Sequence, residues 1–244
     1  MNGENPMLEL ENLGHAYAPG SEALSGVQLV LRRGEMAALV GANGAGKSTL
    51  LLHVNGLLRP TSGHVRVLGR TVASKNLAEV RRMVGFVFQQ ADDQLFMPTV
   101  EDDVAFGPRN MGLPEEEVDR RVGEALDVMG IARLRKRAPH TLSAGEKRSA
   151  AIASVLSMRP AFWVMDEPTA GLDPRSRRAF IALLRRLSPT LLLATHDLDM
   201  AWELCPRTIV LGGGRVMADG PTRELLADAG LMEAAGLELP YSAR

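Results

Sequence analysis

The sequence has a single cysteine, Cys205, in 244 residues. An internal disulfide is therefore excluded, and such usage suits a reducing compartment. Cys205 itself reads as either a reactive thiol or a buried bystander. There is no surplus of positive charge: 28 Lys and Arg against 29 Asp and Glu leave a formal net charge of −1. That gives no electrostatic case for a nucleic-acid partner. No run approaches the roughly 18 uncharged apolar residues of a membrane helix. The opening MNGENPMLEL lacks the basic start and apolar core of a secretory leader. The expectation is a cytosolic chain, still able to dock on a membrane protein. Internal repeats, low-complexity tracts and long heptad patterns are absent as well. What is present, 45% apolar and 23% charged residues, supports a sizeable core. The length suits one large domain or two small ones.

Five short apolar runs read as buried strands: EMAALV (35–40), MVGFVF (83–88), AFWVMD (161–166), TLLLAT (190–195) and RTIVLG (207–212). Near-continuous apolar strands suit a parallel sheet covered on both faces. Helical patterns alternate with them. The clearest is DPRSRRAFIALLRRL (173–187), with Asp173 as N-cap, Pro174 as first helical residue, and Phe180, Leu183, Leu184 and Leu187 on one face. The expected fold is α/β: a core over 1–91 and 151–218, with a parallel or mixed sheet between helices. Strand signals vanish over 92–150, where Pro98, Pro108 and Pro114 punctuate and PEEEVDRRVGEALDVMG begins acidic. This reads as an inserted helical subdomain. The tail, 219–244, is expected to pack a short helix or two on the core.

GANGAGKST follows a strand and precedes a helical run, and satisfies G-x-x-x-x-G-K-[ST]. Glycines let backbone N–H groups wrap a polyphosphate, and the new helix adds its positive end. Gly41, Ala42, Asn43, Gly44, Ala45, Gly46, Lys47, Ser48 and Thr49 are thus a candidate triphosphate cradle. Lys47 is placed to reach the β- and γ-phosphates, and Ser48 to hold Mg²⁺. A dinucleotide fingerprint fails because Thr49 occupies its third glycine position. Asp166 and Glu167 leave the end of another buried strand, where ligands of open parallel sheets gather. Asp166 suits Mg²⁺, directly or through water. Glu167 suits orienting or deprotonating the attacking water. His196 leaves TLLLAT in the same manner and reads either as structural or as a neutral imidazole bonded to a γ-phosphate oxygen. His15, His53, His64 and His140 receive no role.

Taken together, GANGAGKST, VFQQ, LSAGE, VMDEP, AGLD and ATHD resemble the ATP-binding cassette (ABC) ATPases over nearly the whole chain. The resemblance implies ATP and Mg²⁺ as cofactors. It implies that Tyr17 stacks on adenine and that Gln89 senses γ-phosphate and Mg²⁺. It also implies head-to-tail pairing of two ATPase subunits, as homodimer or heterodimer, with Ser143 and Gly145 binding the γ-phosphate held by the partner and Asp173 in a loop facing across the dimer. Independently, Ser143 with Glu146 forms a capping box, which alone would be merely a capped helix. Three positions depart from the family pattern: Ala144 for glycine, Glu146 for glutamine and Ser149 for arginine, with Arg148 one place earlier. The Ala144 methyl lies where the partner's nucleotide must approach.

The stretch FQQADDQLFMPTVEDDVAFG (88–107) resembles energy-coupling-factor importer ATPases, and ELCPRTIVLGGGRVMADGPTRELLAD with GLELP resembles their cobalt or nickel branch. The implied partners are an integral membrane coupling subunit and a substrate-binding membrane subunit, at the cytoplasmic face of the membrane. Leu95, Phe96 and Met97 are expected on a partner helix, with Asp92, Asp93, Glu101, Asp102 and Asp103 toward its basic residues. The alternative is a solvated acidic linker with its apolar residues turned inward. Vitamin importers share much of this stretch, and other ABC transporters remain a third reading. Soluble ABC ATPases of repair or translation fit less well, needing long coiled coils or usually two cassettes.

Overall fold

The computed structural model describes residues 6–187 and 189–243. Its strands are β1 (Leu8–Ala16), β2 (Glu22–Leu31), β3 (Met36–Val40), β4 (Ser62–Val67), β5 (Arg70–Thr71), β6 (Val84–Val87), β7 (Phe162–Asp166), β8 (Leu191–Ala194), β9 (Arg207–Gly212) and β10 (Arg215–Pro221). Its helices are α1 (Lys47–Val54), α2 (Leu77–Met83), α3 (Val100–Asn110), α4 (Glu115–Val128), α5 (Ala144–Leu156), α6 (Pro174–Leu187), α7 (Leu198–Leu204), α8 (Thr222–Leu225) and α9 (Ala229–Ala234).

The five strands legible in the sequence join one six-stranded sheet, ordered β10-β9-β3-β8-β7-β6. They run parallel, and only β10 is antiparallel, to β9. Their apolar runs are continuous because alternate side chains enter different cores. Ala37, Leu39, Phe162, Val164, Leu192 and Ala194 face one cluster, shared with α1. Ala38, Val40, Trp163, Met165, Leu191 and Leu193 face the other, shared with α6 and α7. Leu187, expected on the buried face of α6, is instead exposed at its last turn. Leu226 and Met232 seat the C-terminal segments on the second cluster.

A second sheet, β2-β1-β4-β5, was not legible in the sequence. Its strands are antiparallel and mix apolar with polar positions, and β1 carries several register shifts against β2. Those bulges interrupt the alternation that marks a half-buried strand. This sheet supplies Leu8, Leu10, Leu13 and Leu29 to the first core.

Helices α3, α4 and α5 enclose a third cluster around Val100, Val104, Val122, Leu126 and Ala150. Each has a local reason to start. Thr99 caps α3 through Asp102 N, three glutamates open α4, and Ser143 caps α5. Helix α5 runs without a break across position 150 and reaches the core. Among the described residues, no helix is long and apolar enough to cross a membrane.

Candidate functional site

Strands β3, β6, β7 and β8 run parallel, so their carboxyl ends release the phosphate loop, Gln89, Asp166–Glu167 and His196 along one edge. A cleft of about 390 Å³ opens there, lined by Tyr17, Asn43, Gly44, Lys47, Ser48, Gln89, Asp166 and Glu167 among others. Two glycines of the loop are sterically required. A Cβ on Gly41 would stand 2.2 Å from the Leu211 carbonyl oxygen. Gly46 has φ 102°, and a Cβ there would meet the Ala23 carbonyl oxygen at 2.6 Å. Gly46 also caps α1, aiming that helix's first N–H groups at the cleft.

Lys47 is buried and donates to the carbonyls of Gly41 (2.6 Å) and Ala42 (3.1 Å). Burial pushes its pKa down, and the nearby Glu167 and Asp166 charges partly restore it. Phosphate oxygens are better acceptors than neutral carbonyls for an ammonium group. The present bonds therefore hold the amine ready for an anion.

Asp166 is buried, and burial raises its pKa above the ordinary range, with the Ser48 hydroxyl and Lys47 pulling the other way. Its Oδ1 has no hydrogen-bond partner among the described residues. An orphaned buried carboxylate oxygen near the Ser48 hydroxyl, in a cleft that Gln89 also lines, is a hard oxygen set that fits Mg²⁺. No group of three or more His, Cys, Asp or Glu able to hold a metal occurs among the described residues. The fit is thus to an ion that shares its shell with phosphate. An Asp166→Asn chain is expected to melt a few degrees higher without ligand while losing Mg²⁺-dependent turnover. The sign follows from the raised pKa: at neutral pH the ionised carboxylate destabilises the folded state, and the penalty disappears once acid protonates it in both states. Thermal melts at neutral and acid pH check this, and a lower neutral melting point for the variant would contradict it.

Glu167 adopts φ 46°, a left-handed conformation that side chains other than glycine's rarely take. Its N–H donates to the Ala194 carbonyl on the neighbouring strand (2.9 Å). Its Oε2 accepts from Thr195 Oγ1 (3.2 Å) and His196 N (3.2 Å), and lies 2.8 Å from His196 Nδ1. For Nδ1 to donate there it must carry the hydrogen, leaving the Nε2 of a neutral ring as an acceptor only. A neutral His196 therefore cannot hold Glu167 by Nδ1 and donate to a phosphate oxygen by Nε2 at once. It must turn from one to the other or become charged.

Tyr17 stands at the cleft mouth, 60% exposed, with its hydroxyl 3.0 Å from Thr49 Oγ1. Sequence reading gave no role to the two histidines beneath it. His15 meets the Tyr17 ring edge-on at 4.7 Å, and His53 Nε2 lies 3.2 Å from His15 Nδ1. His53 is anchored by its Nδ1 to the Thr49 carbonyl (2.7 Å), and burial lowers its pKa. Their contact spans 38 residues, so no local pattern announces it. Thr195 was missed for the same reason.

Ala42 and Ala45 line a second cavity with Gly212, Gly213 and Gly236, and three further predicted site residues lie elsewhere. Ser143 and Gly145 open α5, outside the cleft lining. Ser143 accepts from Glu146 N (3.3 Å), while Glu146 Oε2 accepts from Ser143 N (3.0 Å) and Arg133 holds Oε1 (2.8 Å). Asp173 caps α6 through the N–H groups of Arg175 (2.9 Å) and Ser176 (3.0 Å).

The segment after Gln89 differs from expectation. Leu95 is turned into the third core, so it cannot pack on a partner. Asp103 is buried, accepting from Phe96 N and Met97 N at 3.0 Å each. Asp92 pairs with Lys147 (2.6 Å), Glu101 with Arg135 (2.7 Å) and Lys136, and Asp102 with Arg109 (3.5 Å). These acids neutralise cations of this chain. Asp93 is exposed with no cation partner among the described residues, and an apolar pair faces outward as well: Phe96, 63% exposed, packs edge-to-face at 5.0 Å on Phe106, 42% exposed. Phe106 was not singled out from the sequence.

Residues 24–170 match the family model described as "ABC transporter". A putative ABC transporter ATP-binding protein of Geobacter sulfurreducens is 56% identical over 97% of this chain and 95% of its own length. The energy-coupling factor transporter ATP-binding protein EcfA of Methanothermobacter thermautotrophicus is 46% identical over 97% and 78%. Among solved structures, cbiO1 of Clostridium perfringens, described as part of the ABC transporter complex cbiONQ, superposes with a TM-score of 0.82. It is 39% identical, covering 98% of each chain.

Proposed function

The chain belongs to the ATP-binding proteins of the ABC transporter family, and on that premise we propose that it is the ATPase of an energy-coupling-factor importer whose closure around ATP powers uptake of cobalt or nickel ions. The observation that carries the ATP-driven dimer is the separation of two half-sites. Lys47, Ser48 and Asp166 line the cleft, while the capped helix at Ser143 presents its anion-binding end outside it. Head-to-tail pairing lets each subunit complete the other's cleft.

In the resulting mechanism Tyr17 stacks on the adenine and the phosphate loop binds the polyphosphate. Lys47 leaves the Gly41 and Ala42 carbonyls for phosphate oxygens. Ser48, Gln89 and Asp166 would hold Mg²⁺, which when bound would neutralise charge developing on the phosphates. Glu167, held by Thr195 and His196, orients water for in-line attack or takes its proton. His196 turns from Glu167 toward the γ-phosphate. Ser143 and Gly145 of the facing subunit bind the same phosphate, and Asp173 lies at the facing loops. Hydrolysis removes the anion that joins the subunits, so the dimer opens.

The membrane partner is read from Phe96 and Phe106. Their exposed pair follows directly on the Gln89 loop, and Asp103 fixes the backbone beneath Phe96. An apolar helix end on a membrane coupling subunit fits this surface better than a basic one, because Asp92, Glu101 and Asp102 are already paired within the chain. The substrate reading rests on the cobalt- and nickel-branch resemblance of 203–228 and 236–240. Phe96→Ala with Phe106→Ala is expected to weaken capture of the membrane subunits at least about thirtyfold, as loss of an aromatic anchor typically does. ATP binding by the isolated chain stays unchanged. Detergent co-purification reads both, and undiminished capture would move the docking surface elsewhere.

A further inference from the structure

Arg148 lies on α5 two residues beyond Glu146 and is only 5% exposed. Among the described residues it has no carboxylate within ion-pair distance, and its Nε has no partner. Its guanidinium instead donates to the Phe88 carbonyl (2.7 Å) and to the Gln89 carbonyl. Burial depresses its pKa, and Asp166 partly offsets this. A buried cation resting on two neutral carbonyls is costly, and an apolar side chain would fill such a place at less cost. Something other than packing accounts for an arginine there.

The Phe88 peptide is tied to α5 from its other side as well. Phe88 N–H donates to Gln94 Oε1 (3.2 Å). Gln94 Nε2 in turn donates to the Ala151 carbonyl (2.7 Å) and to Ser154 Oγ (2.9 Å). Both backbone polar groups of Phe88, the residue before Gln89, thus end on one helix. That helix begins at the Ser143 cap, five residues and about 7.5 Å of helical rise from Arg148. A helix moves as a unit, so displacing its first turn displaces Arg148 and the backbone it grips.

We propose that Arg148, assisted by Gln94, is the positioning residue that couples the anion-binding cap at Ser143 to Gln89. A γ-phosphate arriving at Ser143 from the facing subunit then sets how far Gln89 reaches toward Mg²⁺ in the subunit's own cleft. The two ATP sites are linked through this arginine. The inference rests on the dimer reading above and deepens it.

The test compares Arg148→Met, Arg148→Lys, Gln94→Leu and Gln89→Ala in the full chain. Turnover is followed against ATP and against Mg²⁺, and ATP binding is measured without Mg²⁺. Arg148→Met is expected to lower kcat about tenfold and bring the Hill coefficient for ATP to about 1. It should also raise the Mg²⁺ needed for half-maximal rate, with Mg²⁺-free ATP binding unchanged. Arg148→Lys recovers part of the loss, because one ammonium can serve one carbonyl. Arg148→Met combined with Gln89→Ala should cost no more than the larger single loss. Losses that multiply, or unaltered cooperativity in Arg148→Met, would overturn the coupling. Gln94→Leu keeps the buried charge and supplies the same comparison if Arg148→Met does not fold. Full turnover in Gln89→Ala would remove the role of Gln89 itself, and the coupling with it.

Discussion

Glu167→Gln is expected to slow ATP hydrolysis by roughly 10²–10⁴-fold, the range ascribed to a positioned acid or base. The substitution keeps the shape of the side chain and its carbonyl acceptor, so Thr195 Oγ1 and His196 N can still hold it. What it removes is the negative charge that, in the proposed mechanism, orients water and receives a proton. In that mechanism nucleotide binding depends on other groups: Lys47 with the phosphate loop, and Ser143 from the facing subunit. The ATP-bound dimer should therefore outlast its normal lifetime and accumulate. Phosphate release and sedimentation at micromolar protein with Mg²⁺ and ATP measure both quantities. A variant that turns over within a few-fold of the parent, or stays monomeric with ATP, would contradict the role given to Glu167.

Lys47→Ala is expected to reduce ATP affinity by about 10²-fold or more, as truncating one partner of a buried charged hydrogen bond does. Among the described residues the ammonium is the one cation of the side chains lining the cleft, and it stands near two carboxylates that repel a polyphosphate. Its loss removes an attraction and uncovers a repulsion together. Calorimetric titration with ATP, with and without Mg²⁺, checks this. Binding within a few-fold of the parent would show that the loop backbone alone suffices.

These two expectations differ in how far the sequence announced them. The phosphate loop is contiguous, and its strand–glycine–helix order states its geometry locally. The caps at Ser143 and Asp173 are equally local and stand where their spacing places them. The central strands are legible because each is buried on both faces. The antiparallel sheet is not, because bulges break its alternation at Leu10, Leu13 and His15. The hold on Glu167 requires β7 and β8 to be neighbours, a fact of topology rather than of any local motif. The acidic stretch after Gln89 misled for a related reason. Its charges read as free in the sequence, whereas Lys147, Arg135 and Lys136 come from elsewhere in the fold, and Arg109 from two turns along the same helix, to neutralise Asp92, Glu101 and Asp102. Arg148, too, gained its meaning only when α5 met the end of β6.

The central claim, that this ATPase drives metal import, is tested most directly by cobalt and nickel accumulation in cells. The cells carry the intact chain or Lys47→Ala at matched expression, with general metal transporters deleted. Accumulation of one ion in the intact strain and its loss in Lys47→Ala is the predicted result. Equal accumulation of both ions in the two strains would contradict it.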